Sequence, residues 1–144
     1  MIKKFLFARN ELMIHGFDLV VRLYLLKVFF QSGMTKIQSW QSTLDLFAYE
    51  YSVPLLSPEV AAIMGTAGEL ILPVLLLVGL MTRPVAIGLF ILNAVAAYAY
   101  ALTDFYNFTG MLDHILWGVM ILVYILYGSS PLSIDNLLSK KFKG

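Results

Sequence analysis

Residues 65–80 read GTAGELILPVLLLVGL. The run is apolar almost throughout, yet it carries Glu69 near its middle and Pro73 four residues later. Eleven Val, Ile and Leu residues lie between Val60 and Leu80. Each such residue returns roughly 0.3–0.6 kcal/mol on insertion into a bilayer, whereas a central charged group costs about 2.5–3.5 kcal/mol. The segment therefore inserts despite its carboxylate, but only with Glu69 turned away from lipid. Ala62, Gly65 and Thr66 lie on or near the same helical face, and small residues let a neighbouring helix come close. Pro73 has no N–H to offer the carbonyl four residues back, which is that of Glu69. A side-chain carboxylate and a released main-chain oxygen are thus expected together, with a kink beside them.

The whole chain has the same character. Soluble domains are roughly 45–50% apolar and about 25% charged. Here 60% of 144 residues are hydrophobic and 13% charged, with a mean hydropathy of +0.81. A soluble domain of this size has no interior large enough for that surface, so the lipid bilayer is the expected solvent. A net charge of +1 with no basic patch gives no reason to expect a nucleic acid partner. The absence of cysteine removes disulfides, thiolate metal sites, c-type haem attachment and dithiol–quinone exchange. No compact apolar core with a small-residue cleavage site follows the first residues, so the first helix is expected to stay.

Four segments are long enough for a membrane of about 30 Å, which takes about 20 residues to cross: 15–35, 60–80, 84–102 and 111–128. The expected fold is all-α, a four-transmembrane-helix bundle in one domain, with a short interfacial helix between helices 1 and 2. That short helix is read from IQSWQSTLDLFAYEY (37–51), where Ile37, Trp40, Leu44, Phe47 and Tyr51 recur at helical spacing. It either lies in the headgroup region or packs as a lid over the bundle. The tail SSPLSIDNLLSKKFKG reads as a short amphipathic cap. Lys3, Lys4, Arg9, Arg83, Lys140, Lys141 and Lys143 fall on one side of the spans and Lys36 alone on the other, seven against one. The positive-inside rule then places both termini in the cytoplasm.

Glu69 sits about 18 Å from the cytoplasmic end of its span, and Asn93 about 15 Å into the next, at 1.5 Å per residue. They share a level, bracketed on the first span by Arg22 and Lys27. A buried ion pair of Glu69 with Arg22 or Lys27, closed by Asn93, is one reading. A ligand- or proton-handling site is the other, since ionisable groups at membrane depth are functional candidates. A second polar set, Lys36, Glu50, Glu59, Asp104, Asp113 and His114 with Trp40 and Trp117, reads as solvated helix ends. One histidine among scattered carboxylates lacks the spacing of a metal site.

Several segments carry a family likeness. Arg22 is followed eleven residues on by Gly33 and then by Lys36. EYSVPLLSPEVAA leads to Glu69, LLLVGLMTR and Pro84–Val85–Ala86. DHILWGVMILVYILYG precedes PLSIDNLL, with Ser133 and Asp135 in a Ser-x-Asp arrangement. In order and spacing these resemble the DoxX family of small bacterial four-helix membrane proteins, over about residues 18–138. The resemblance implies a multi-pass protein of the bacterial inner membrane, with Arg22, Lys36, Glu69, Arg83, His114 and Trp117 as its matching positions. It also implies an association with membrane redox complexes and quinones. The first functional expectation is therefore a redox-associated subunit binding a quinone-like ligand near Glu69, with no covalent cofactor. Its ligand-binding candidates are Arg22, Lys27, Lys36, Glu69, Asn93, His114 and Trp117. No redox centre or catalytic motif of its own is present, so electrons would come from a membrane redox partner protein. The alternative is a non-catalytic scaffold or accessory protein whose buried charges are structural. A homo-oligomer is compatible with either.

Overall fold

The computed structural model describes residues 2–51 and 53–142, and the side chains of 11–51 and 53–141. The basic side chains of Lys3, Lys4, Arg9 and Lys143, used above for orientation, lie outside the described set. Among the described residues there are six α-helices and no strand: α1 (Ile2–Gln38), α2 (Trp40–Tyr49), α3 (Pro58–Val78), α4 (Thr82–Ala101), α5 (Phe108–Tyr127) and α6 (Ile134–Phe142).

Helix ends follow local chemistry. Ser57 accepts from the Val60 N–H, and Pro58 occupies the first turn of α3, where an N–H would be unpaired anyway. Gly79 ends α3 at φ 67°, with Leu80 N donating to Leu75 O and Gly79 N to Leu76 O. That is the left-handed stop for which glycine has no steric cost. Asn107 caps α5 through Gly110 N at 2.8 Å. α3 is assigned as one helix through the buried Pro73.

Among the described residues, α3, α4 and α5 are long and apolar enough to cross a membrane. Only 28% of the most apolar stretch of α3 and of α4, and 17% of that of α5, is buried within the chain. The remaining apolar faces are those that lipid would cover. α1 is longer than a span requires, but Asp18, Arg22, Lys27 and Lys36 keep it outside that set. Three of the four expected spans are therefore helices long and apolar enough to cross a membrane, and the first is a longer, more charged helix.

The helices pack in sequence order, α1 on α3, α3 on α4 and α4 on α5. Glycine sets the closest approach. A Cβ on Gly33 would come within 2.8 Å of Leu70 Cγ and 3.2 Å of Glu69 Cβ, so α1 meets α3 there. Arg22 lies eleven residues earlier and meets Leu76 O, which makes the two helices antiparallel. Leu25, Phe29, Leu76, Leu89, Ile121 and Tyr124 form the core between them.

α2 closes one end. Phe47 packs on Ala61 and Ala62 of α3, Tyr51 stands edge-on to Phe47, and Phe105 of the α4–α5 loop meets Tyr51. Of the two readings of this segment, the packing is that of a lid, with Trp40 and Tyr49 on its outer side.

Candidate functional site

Glu69 is 9% exposed and faces α1. Its partner is Lys36, whose Nζ lies 2.7 Å from Oε2 and 2.9 Å from Oε1. Lys36 also donates to Ser32 Oγ at 2.8 Å, and Ser32 donates to Glu69 Oε1 at 3.3 Å. Ser32 and Lys36 are four apart on α1 and so share one face. The expected pairing of Glu69 with Arg22, Lys27 or Asn93 is not what forms. That expectation started the first helix near residue 15, whereas α1 starts by residue 2 and meets α3 with Gly33 against Leu70 and Glu69. Residues 32–36 then fall opposite Glu69, and Arg22 falls opposite the end of α3. Lys27 is exposed, because Arg22, Leu25 and Phe29 mark the inward stripe and residue 27 lies on the far side of the helix.

Asn93 belongs to a different pair. Its Nδ2 donates to the main-chain oxygen of His114 at 2.8 Å, and its Oδ1 lies 3.0 Å from His114 Nδ1. Trp117 stands edge-on to His114 at 5.0 Å between ring centres, and its Nε1 donates to Tyr24 Oη at 3.3 Å. Lys36 and His114 are therefore not solvated helix ends but inward-facing groups.

Ser32, Lys36 and Glu69 of the first set and His114 and Trp117 of the second line one cavity of about 500 Å³. Its walls are mostly apolar, with Val28, Phe29, Leu72, Ile91, Leu92 and Val95 among them. Gly65, Gly68, Gly88 and Ala96 supply the room, and Phe47, Tyr51 and Val53 close the lid side. Burial pushes the Tyr51 phenol up from its usual range, and the Glu69 charge adds to this, so the hydroxyl keeps its proton at neutral pH. Ser32, Tyr51 and the lid were absent from the expected site. Lys36 had left a signal: as the lone base on its side of the spans, it was a natural partner for the carboxylate that the second span carries at membrane depth.

Arg22 works at the opposite end and is 1% exposed. It donates from Nη1 to Leu76 O at 3.0 Å, pairs with Asp18 at 3.2 Å, and lies 5.1 Å from the centre of the Tyr124 ring. A cation on the last carbonyls of α3 complements its helix dipole. The adjacent Ser-x-Asp residues join α6 to this end. Ser133 packs against Gly79, where a Cβ would collide with it, and accepts from Asn136 N. Asp135 accepts from Met81 N, Thr82 N and Thr82 Oγ1, each at 2.8 Å, and so caps α4 from a distant part of the chain. Burial pushes the Asp135 carboxyl up. The Thr82 and Met81 hydrogen bonds and the Arg22 charge outweigh it, leaving the group below its usual range.

A family model, DoxX, matches residues 17–102, more than half of the chain. The chain belongs to the DoxX family. This DoxX protein is also 32% identical over 129 residues to an uncharacterized protein of Haemophilus influenzae, an alignment covering 86% of this chain and 84% of that one. No solved structure matches it. The DoxX match holds Arg22, Lys36, Glu69, Arg83 and Asn93. His114, Trp117, Ser133 and Asp135 lie beyond it, in the part that completes the cavity and the α6 clasp.

Proposed function

We propose that this DoxX protein is a four-helix protein of the bacterial inner membrane that holds a quinone-like ligand in the chamber beside Glu69. The observation that carries the reading is the chamber itself. Its volume of about 500 Å³ suits a small organic ligand, since such pockets run about 300–1,000 Å³ and combine apolar walls with a few placed polar groups. Here those groups are Glu69, Tyr51 and His114, with Phe29 and Trp117 as aromatic wall. In this reading the chain binds and positions the ligand for a membrane redox partner.

α1 is the fourth span in this reading. It runs antiparallel along α3, and its charged groups apart from Lys27 turn inward or sit at its ends. Asp135 N donates to Gly79 O, which puts the Arg83 turn and the Lys140–Lys141 helix at one end of the bundle. With Lys36 consumed inside, no free base remains among the described residues at the lid end. Both features support cytoplasmic termini.

The test is the ligand itself. Protein purified in mild detergent and extracted with organic solvent is expected to yield about one quinone per chain by absorbance and mass spectrometry. Ala96→Phe, which fills the chamber, is expected to yield almost none. Absence of quinone from both, with no binding on addition, contradicts the reading.

A scaffold role has one observation in its favour, the self-contained Lys36–Ser32–Glu69 cluster. It predicts that an uncharged replacement of the pair keeps every cellular phenotype.

A further inference from the structure

The hydrogen-bond balance of the chamber is lopsided, and this bears on the form of the ligand. Lys36 has three ammonium hydrogens, and Ser32 Oγ and the two Glu69 oxygens take them. The Ser32 hydroxyl proton goes to Glu69 Oε1, and the indole N–H of Trp117 goes to Tyr24. Tyr51 carries the one uncommitted side-chain proton among the described groups lining the chamber. Acceptors are better supplied: Glu69 Oε2 receives only Lys36 and keeps a free lone pair.

His114 adds a second acceptor, and Asn93 fixes it. The main-chain oxygen of His114 only accepts, so the group 2.8 Å from it must be the Asn93 NH2. The Asn93 oxygen is then the atom facing His114 Nδ1, and Nδ1 must carry the ring proton to donate to it. The neutral ring is left with Nε2 as a bare acceptor, with no protein donor to it among the described residues.

We infer that the chamber selects the hydroxyl form of its ligand, a hydroquinone or related phenol, over the corresponding quinone. A hydroquinone offers two O–H donors to Glu69 and to His114 Nε2. A quinone brings only carbonyl oxygens, and at either station lone pair would face lone pair. Asn93 is a positioning residue for this preference and does not touch the ligand. The inference rests on the quinone-like reading of the chamber.

The test is a matched pair of ligands. Protein in lipid nanodiscs is titrated by calorimetry with a short-chain hydroquinone under reductant, and separately with its quinone. The hydroquinone is expected to bind about tenfold tighter or more, the scale of one hydrogen bond to a buried acceptor. Equal affinities, or tighter quinone binding, overturn the inference while leaving the chamber reading standing. Binding of neither overturns both. Asn93→Leu is expected to bring the ratio toward unity by raising quinone affinity, because the imidazole is then free to carry its proton on Nε2 and donate it to a quinone oxygen; an unchanged ratio overturns the inference. Independently of any variant at Asn93, nitrogen NMR of His15→Gln protein, with His114 its one imidazole, should show a protonated Nδ1 and a bare Nε2. The opposite tautomer, or an imidazolium at neutral pH, overturns the inference.

Discussion

Removing one member of the Lys36–Glu69 pair strands the other in a part-buried, low-dielectric site, whereas removing both leaves only a packing problem. Lys36→Met or Glu69→Leu alone is therefore expected to cost roughly 3 kcal/mol, and the double variant much less than the sum. Thermal melting in detergent checks this, and additive losses would mean that the two groups act apart. That Glu69 must face inward was legible from the insertion energetics of residues 65–80. Its partner was not, because a partner depends on the axial position of α1 against α3, a long-range fit that includes the close approach at Gly33 and the Arg22 bond to Leu76 O. Asn93 shows the same limit. Its depth was legible, but its bond to His114 depends on how α4 and α5 turn toward each other about Gly118.

The element that most depends on distant residues is α4. Met81, just before it, has φ 50° and gives no side-chain cap, and Asp135 of α6 does the capping instead. Asp135→Ala is expected to cost about 1–2 kcal/mol, the scale of a lost helix cap. It should also speed amide exchange at Met81 and Thr82. The pH dependence follows from the lowered carboxyl. A folded-state value below the unfolded one gives stability that is full above the ordinary Asp range, near pH 4, and lost as pH falls through the folded value. Acidification below about pH 4 is thus expected to release α6 in the wild type, with the Asp135-dependent part of that step missing in Asp135→Asn. Hydrogen exchange of the same two amides reads both. The tail was legible as an amphipathic cap from SIDNLLSKK, and the Ser-x-Asp pattern could be recognised. What the pattern does was not, because it caps a helix more than fifty residues away.

At the scale of the whole molecule, the apolar runs gave three spans to within a few residues, since length and hydropathy are local quantities. The chamber was not local. It arises where Gly65, Gly68, Gly88 and Ala96 leave space beneath a lid, and four helices must be placed before that space exists. The proposed orientation is testable because the chain has no cysteine. Gln41→Cys on α2 and Ser139→Cys on α6 replace exposed residues at opposite ends. A membrane-impermeant maleimide added to spheroplasts is expected to label the first and spare the second, and the reverse pattern would invert the topology. The most direct measurement of the chamber uses its own tryptophan. Of the two tryptophans in the chain, Trp117 lines the cavity and Trp40 lies on the lid's outer side, so Trp40→Phe leaves one reporter. Titration of that variant in nanodiscs with a short-chain quinone or hydroquinone is expected to quench Trp117 saturably, near one ligand per chain, and Ala96→Phe in the same background is expected to abolish saturation. Quenching that rises linearly without a limit, or that is identical in the filled variant, would contradict a ligand chamber beside Glu69.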